Sequence, residues 1–377
     1  MRRRVVVVLL AVSLVAGAGW LTMARASDDA WPIGPFTRPA TGNPVIAPNA
    51  ASVFIDPIRK APIHWEALHT FNPAAMVRNG KVDVLYRAED DTGAMQIGMH
   101  TSRLGLAESD DGVHFRRRPT PVFYPAEDDQ KPREWPGGVE DPRIVEAADG
   151  TYVLTYTQWN RVTYSVGIAT SMDLEHWTKH GPAFLTAEGG KYANLKYKSA
   201  GIVTAVQEAR LKAVRIRGKY WMYWGEGEIH LATSSDLVHW TPVEDAHGEP
   251  VEVLRPRPGH FDSSFPETGP PPVLTSRGIV VIYNGKNAAS GGDANLPAGT
   301  YAAGEALFDG TNPEHLLAQT ENPVLEPTLP YERTGQYAAG TTFAEGLVFF
   351  RGQWFLYYGC ADSLVAVAMA PGSGHKR

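Results

Sequence analysis

An all-β fold, a five-bladed β-propeller, is the architecture this sequence predicts. Three observations predict it: an apolar strand ending in tyrosine that returns five times, a glycine-bearing turn ahead of each copy, and a second echo that returns three times. The strands are Val84-Leu85-Tyr86-Arg87, Leu154-Thr155-Tyr156-Thr157, Trp221-Met222-Tyr223-Trp224, Val281-Ile282-Tyr283-Asn284 and Phe355-Leu356-Tyr357-Tyr358, so the tyrosine recurs at positions 86, 156, 223, 283 and 357 in nearly even steps. Ahead of them stand Asn79-Gly80, Asp149-Gly150, Arg217-Gly218, Ser276-Arg277-Gly278 and Arg351-Gly352, which between apolar runs are hairpin signals. The second echo is LAESDDGVHF ending at Phe115, IATSMDLEHW ending at Trp177 and LATSSDLVHW ending at Trp240, and it keeps the same step. A regular period of that length, with about four short strands per unit, is the signature of propeller blades. The repeated Asp and His of the echo are read as builders of an outer-strand turn, not as chemistry.

Before the first blade, Arg2, Arg3 and Arg4 precede an apolar run from Val5 to Trp20, and Ala24-Arg25-Ala26 then leads into Ser27-Asp28-Asp29. That is the pattern of a secretory signal peptide. Residues 1–26 are therefore expected to direct export, with an uncleaved N-terminal anchor as the alternative, and residues 27–377 to form one catalytic domain. Without that leading segment, which holds four arginines and no acid, 31 basic and 41 acidic side chains remain, a formal charge of −10. Such a balance excludes nucleic acid and anionic lipid as natural partners and suits a neutral substrate. The single cysteine, Cys360, excludes an internal disulfide and is expected to be a buried small hydrophobe. No HExxH, CxxC or EF-hand spacing occurs among the twelve histidines and the acids, so no metal and no cofactor is expected. The segment Lys191 to Arg215 departs from the period and reads as an insertion on the third blade, and Ala288 to Thr300 reads as a mobile loop.

Innermost strands of a propeller line its axis, so polar residues at their starts meet at one end of the tunnel. Asn72, Asp141 and Glu267 hold such positions, and Glu226 closes the strand Trp221 to Trp224. Three carboxylates at comparable points of one repeating β pattern, Asp141, Glu226 and Glu267, suit acid/base cleavage of a glycosidic bond. Asp141 precedes a proline, which pushes it toward an extended backbone. Its neighbour Glu140 would raise its pKa and Arg143 would oppose that. Ten tryptophans and fifteen tyrosines supply rings for sugar faces, although most fall at strand positions that pack a core.

Eight ordered motifs, FNPAAMV (71–77), VLYRAED (84–90), GVEDPRI (138–144), KSAGIV (198–203), KYWMYWGE (219–226), ETGPPPV (267–273), IYNG (282–285) and YYGCAD (357–362), resemble glycoside hydrolase family 130. The resemblance runs from Phe71 to the C-terminus and implies a five-bladed propeller acting on β-mannosides. The family holds inverting phosphorylases, which carry a His-Arg-Pro stretch and a further histidine for phosphate, and inverting hydrolases. Here Gly225-Glu226 and Asn284 stand at those positions, and a glutamate repels a phosphate dianion while offering a base for water. The resemblance makes Asp141 the general acid, acting through a sugar hydroxyl, and Glu226 and Glu267 the base and its helper in either order. Acid and base are then expected about 6.5 to 9.5 Å apart or somewhat farther. Asn72, Arg87, Lys198 and Asp362 match positions that hold the terminal mannose, with Glu208 in QEAR competing with Lys198 for the strand start. The expected activity is an inverting β-mannosidase for β-1,2-linked oligosaccharides. The alternatives are a phosphorylase of the same family and a non-catalytic sugar-binding propeller, the last having no need of three carboxylates.

Overall fold

Five antiparallel meanders follow one another through residues 31–372, the part of the chain that the computed structural model describes. The first holds His69–Arg78, Lys81–Glu89, Ser102–Ser109 and Arg116–Arg117. In the second are Gly138–Glu146, Tyr152–Trp159, Tyr164–Ser171 and Trp177–Pro182. Ala200–Ile202, Lys219–Trp224, Ile229–Ser234 and Trp240–Pro242 make the third. In the fourth, Phe265–Thr268 and Val273–Thr275 both pair with Gly278–Lys286, which continues into Tyr301–Phe308 and Leu316–Gln319. Thr342–Phe350, Gln353–Cys360 and Leu364–Pro371 form the fifth. Among the described residues helix is confined to single turns such as Lys131–Glu134, and no helix there is long and apolar enough to cross a membrane.

The glycine turns explain the inner hairpins. Asn79 and Gly80 have φ of 51° and 73°, Arg217 and Gly218 52° and 79°, and Arg351 and Gly352 50° and 80°. Two successive residues with positive φ form the tight turn whose twist matches that of the strands it joins. The five periodic tyrosines are all buried, and each hydroxyl reaches an acceptor: Tyr86 to Glu66, Tyr156 to Glu134, Tyr223 to the Pro313 carbonyl, Tyr283 to Asp262 and Tyr357 to the Gly112 carbonyl. Ring space for Tyr86 comes from Gly105 opposite it, where a Cβ would run into the ring. In the SDLxHW turns, Asp173 accepts from the amides of Glu175 and His176 and from the His176 ring, and Asp111 and Asp236 repeat this at exposed sites.

Five apolar layers lie between consecutive meanders. Leu85, Leu104 and Leu154 pack the first against the second, and Val153, Ile202 and Met222 the second against the third. Leu231, Ile279 and Val281 fill the next layer, and Ile282, Leu347 and Leu356 the one after. The fifth layer, with Val82, Val84, Val348 and Phe355, joins the last meander to the first. Both faces of each middle strand are therefore buried, which is why Val82–Ala88 is apolar almost throughout. A buried Val or Leu contributes about 1.5–3 kcal/mol, and with Cys360 sealed in the fourth-to-fifth layer such burial holds the fold without disulfides.

The fifth meander has three strands, and an earlier part of the chain lies along its outer edge through isolated bridges. Thr37 and Met369 exchange backbone hydrogen bonds at 2.8 and 2.7 Å, the Ile46 carbonyl accepts from Val365 at 2.9 Å, and the Asn43 amide bonds both ways with Val367. The expected signal peptide lies outside the described residues.

Two readings of the sequence need correction. The stretch from Lys191 to Arg215 is more than an insertion: it contains the third meander's first strand and a hairpin, Thr204–Gln207 with Arg210–Ala213, that pairs in parallel with Glu146 on one side and Val273 on the other. The loop from Ala288 to Thr300 is tied down by Asn287, whose amide donates to the carbonyls of Asp293, Leu296 and Pro297 and accepts from the Asp293 amide.

Candidate active site

One cavity of about 250 Å3 is lined by all seven residues that the sequence singles out: Asn72, Arg87, Asp141, Lys198, Glu226, Glu267 and Asp362. They come from all five meanders. Glu208, the competitor of Lys198, sits at an exposed hairpin tip paired with Arg210, so Lys198 is the residue that enters the cavity.

Asn72 and Asp141 are aimed by the same device. Each precedes a proline and falls at a register shift in its ladder, between Phe71 and Pro73 and between Glu140 and Arg143, with φ of 44° and 47°. The left-handed backbone contradicts the extended conformation expected ahead of proline: the bulge turns the residue out of the pleat and overrides the local preference. Non-glycine residues held there cost about 1–3 kcal/mol, a strain that the surrounding structure must offset. The side chains meet, with Asn72 Nδ2 donating to Asp141 Oδ1 at 2.7 Å.

Arg87 joins them from the neighbouring strand. Its guanidinium donates to Asp141 Oδ1 at 3.0 Å, to Glu89 and Glu140 at 2.8 Å each and to Ser102 Oγ at 2.9 Å. Burial pushes the Asp141 carboxyl up, but Arg87, Lys198 and Arg143, with the Asn72 bond, outweigh it and hold it near 2. Arg143 opposes the rise as its place in the sequence suggests, but Arg87 and Lys198 are larger influences. Arg143 turns away to the carbonyls of Asp141, Thr268 and Gly269 and to Glu345, stapling three inner strands together.

Glu226 and Glu267, which line the same cavity, form an isolated antiparallel bridge, and Lys198 Nζ lies between them at 3.3 and 3.5 Å. Glu267 is buried and accepts from Ser199 Oγ at 2.5 Å, whereas 29% of the Glu226 side chain is exposed. Burial raises the Glu267 carboxyl to about 7, because Lys198 only partly offsets it and Glu226 adds to it. Glu140 and Asp362 are likewise raised to about 7 by burial, against the pull of Arg87.

Phe71, Trp159 and Tyr164 line one part of the cavity and Tyr301, Tyr337 and Phe343 another, offering apolar faces beside the carboxylates. Trp159 is fixed by its indole N–H, which donates to the Gly98 carbonyl. Glu89, Ser199 and these rings were missed by sequence reasoning. Glu89 was findable, because Arg87 and Glu89, two apart on a strand, share a face. Asn284 has its amide locked to the Ala344 backbone and lies outside the cavity lining.

The family model described as beta-1,4-mannooligosaccharide phosphorylase matches residues 55–373. The chain belongs to glycoside hydrolase family 130. A 1,2-beta-oligomannan phosphorylase of Thermoanaerobacter sp. (strain X514) is 32% identical over 314 residues, 82% of this chain and 92% of that protein. Among solved structures, a glycosyl hydrolase from Bacteroides ovatus is 50% identical with a TM-score of 0.88, covering 90% of this chain and 94% of its own. Another, 50% identical with a TM-score of 0.90 over 91% and 96% of the two chains, comes from work describing glycoside hydrolases of this family that target β-1,2-mannosidic linkages in Candida mannan. The family is one of enzymes acting on mannosides, and this chain is one of its members.

Proposed function

We propose that the protein is an exported, inverting glycoside hydrolase that releases mannose from the non-reducing end of β-1,2-linked mannooligosaccharides, built as a five-bladed propeller. The propeller reading is supported by the apolar layer that joins the fifth meander to the first. Export is supported by the arginine-led apolar run before residue 27. The observation that carries hydrolysis over phosphorolysis is the state of the two cations lining the cavity. Arg87 is committed to Glu89, Glu140 and Asp141, and Lys198 to Glu226 and Glu267. A phosphate dianion entering there would meet carboxylates whose cations are already taken, whereas water needs only a base.

Glu267, rigid and poised near neutrality, takes the proton of the attacking water, and Glu226 with Lys198 orients that water. Asp141 serves the leaving oxygen. In the free site its carboxyl is ionised, so a proton must reach it as substrate binds. Burial is the largest influence on Asp141 and acts upward, and a sugar ring laid over it strengthens that influence. The protonated acid then passes its proton to a sugar hydroxyl, and the hydroxyl's own proton goes to the glycosidic oxygen. The bond to the anomeric carbon breaks as water adds from the opposite face, which inverts the anomer.

Phosphorolysis is the second reading, favoured by the names of the curated relatives, of which the Thermoanaerobacter protein is one. Incubating the enzyme with β-1,2-mannobiose with and without phosphate separates the two. Hydrolysis yields mannose at equal rates in both; mannose 1-phosphate, formed only with phosphate, would replace this reading with the second.

A further inference from the structure

His69, Glu89 and His100 meet behind the Arg87 wall of the cavity. Each offers one ligating atom, and the three atoms lie within 4.8 Å of one another. They come from three consecutive strand ends of the first meander: His69 pairs with Glu89 across the ladder, and His100 stands just before Ser102, the partner of Glu89 on its other side. The two imidazoles meet edge to face at 6.0 Å.

Two polar atoms of this cluster are orphaned. Glu89 and His100 are each 2% exposed, and Glu89 Oε2 and His100 Nδ1 are buried with no hydrogen-bond partner among the described residues. An unpaired buried acceptor is costly, so such groups are normally satisfied by something. Glu89 Oε1 is engaged already, by Arg87 at 2.8 Å and Ser102 at 3.2 Å, and His69 Nδ1 lies 3.1 Å from Ser363 Oγ. What remains is two imidazoles and one carboxylate oxygen around a common point.

We propose that His69, Glu89 and His100 bind a divalent transition-metal ion of the zinc type. Two histidines and a glutamate are a recognised donor set for that ion, with bonds of about 2.0–2.2 Å. Ligating atoms of a tetrahedral site stand about 3.4 Å apart, so atoms that lie within 4.8 Å of one another need to draw together by at most about 1.4 Å. Arg87 repels a second cation here. Glu89 and Asp141 supply opposing negative charge, and Glu140 and Asp362 add to it when ionised. The ion would touch no reacting atom. It would anchor the outer oxygen of Glu89 while the inner one holds Arg87, and Arg87 holds Asp141, which makes this a positioning site whichever nucleophile the enzyme uses. The ligands lie on separate strands, so no spaced sequence motif announces them.

Metal content and melting temperature test this without reference to activity. The full protein, stripped with chelator, is dialysed against micromolar zinc and passed through a desalting column. The expected result is one zinc per chain and a melting temperature higher by several degrees, since an ion that binds only the folded state stabilises it. His69→Ala and His100→Ala should each lose both effects. Wild-type protein that retains no zinc and shows no rise would overturn the proposal. So would a folded His100→Ala variant that binds and melts as the wild type does, because the zinc would then sit on other histidines.

Discussion

In the cavity Asp141 Oδ1 receives two donors, the Asn72 amide at 2.7 Å and the Arg87 guanidinium at 3.0 Å, and the carboxyl is held near 2. Glu267, which lines the same cavity, receives one neutral hydroxyl, has its cation at 3.5 Å and shares that cation with Glu226; its carboxyl rises to about 7. Burial is the largest influence on both and pushes both upward. What separates them is the surrounding charge: Arg87, Lys198 and Arg143 together outweigh burial at Asp141, whereas Glu267 is lowered chiefly by Lys198 and is pushed up by the neighbouring Glu226. The free site thus holds an ionised Asp141 and a protonatable Glu267, so the proposed roles are filled only when substrate binding brings a proton to Asp141 and Glu267 is ionised.

The comparison breaks most visibly at Asp141. Asp141→Asn keeps the two donors' geometry but carries no transferable proton, and turnover of an unactivated β-mannoside should fall by about two to four orders of magnitude. Near-normal turnover would reduce Asp141 to a residue of the bulge. Glu267→Gln should cost about a hundredfold or more, and Glu226→Gln less, because the more exposed glutamate orients water instead of taking its proton. Steady-state kinetics on both variants would exchange the roles if Glu226→Gln proved the worse. Asn72→Ala removes one donor from Asp141 and should lower kcat/KM by about tenfold, the loss of a hydrogen bond to a charged group; the Asp141 pKa should rise, moving any ionisation assigned to it upward in the pH profile.

The smallest effect is the most specific. A base must be ionised, so the rate should climb with pH through about 7, the value to which Glu267 is raised. Ser199 favours the ionised form, so Ser199→Ala should raise the pKa further and move the acid limb upward by about one pH unit or less. A limb that stays in place would detach it from Glu267.

Much of this was legible in the chain because it repeats. The tyrosine period marks the middle strand of every meander, and the turn ahead of each copy marks its hairpin, so strand starts such as Asn72 and Asp141 could be assigned to one end of the fold without knowing their contacts. What repeats does not report is how a particular position departs from the average. The left-handed bulges at Asn72 and Asp141 run against the local bias of a residue before proline and exist because the ladders on both sides enforce them. Likewise Arg143, adjacent in sequence, points to backbone carbonyls, and the arginine on Asp141 comes from a different meander. The segment Thr37 to Ile46, bridged to the last meander, carries no periodic signal at all, since its partner, Leu364–Pro371, stands at the opposite end of the described chain.

If an acid and a separate base act on one sugar with water as nucleophile, the anomer released first reports on it directly. A proton NMR time course of β-1,2-mannobiose in phosphate-free buffer, recorded before mutarotation equilibrates the product, should show α-mannose rising from the non-reducing end ahead of the β-anomer. Release of β-mannose first would mean a covalent intermediate on a carboxylate close to the anomeric carbon, and the account of an acid and a separate base would be wrong.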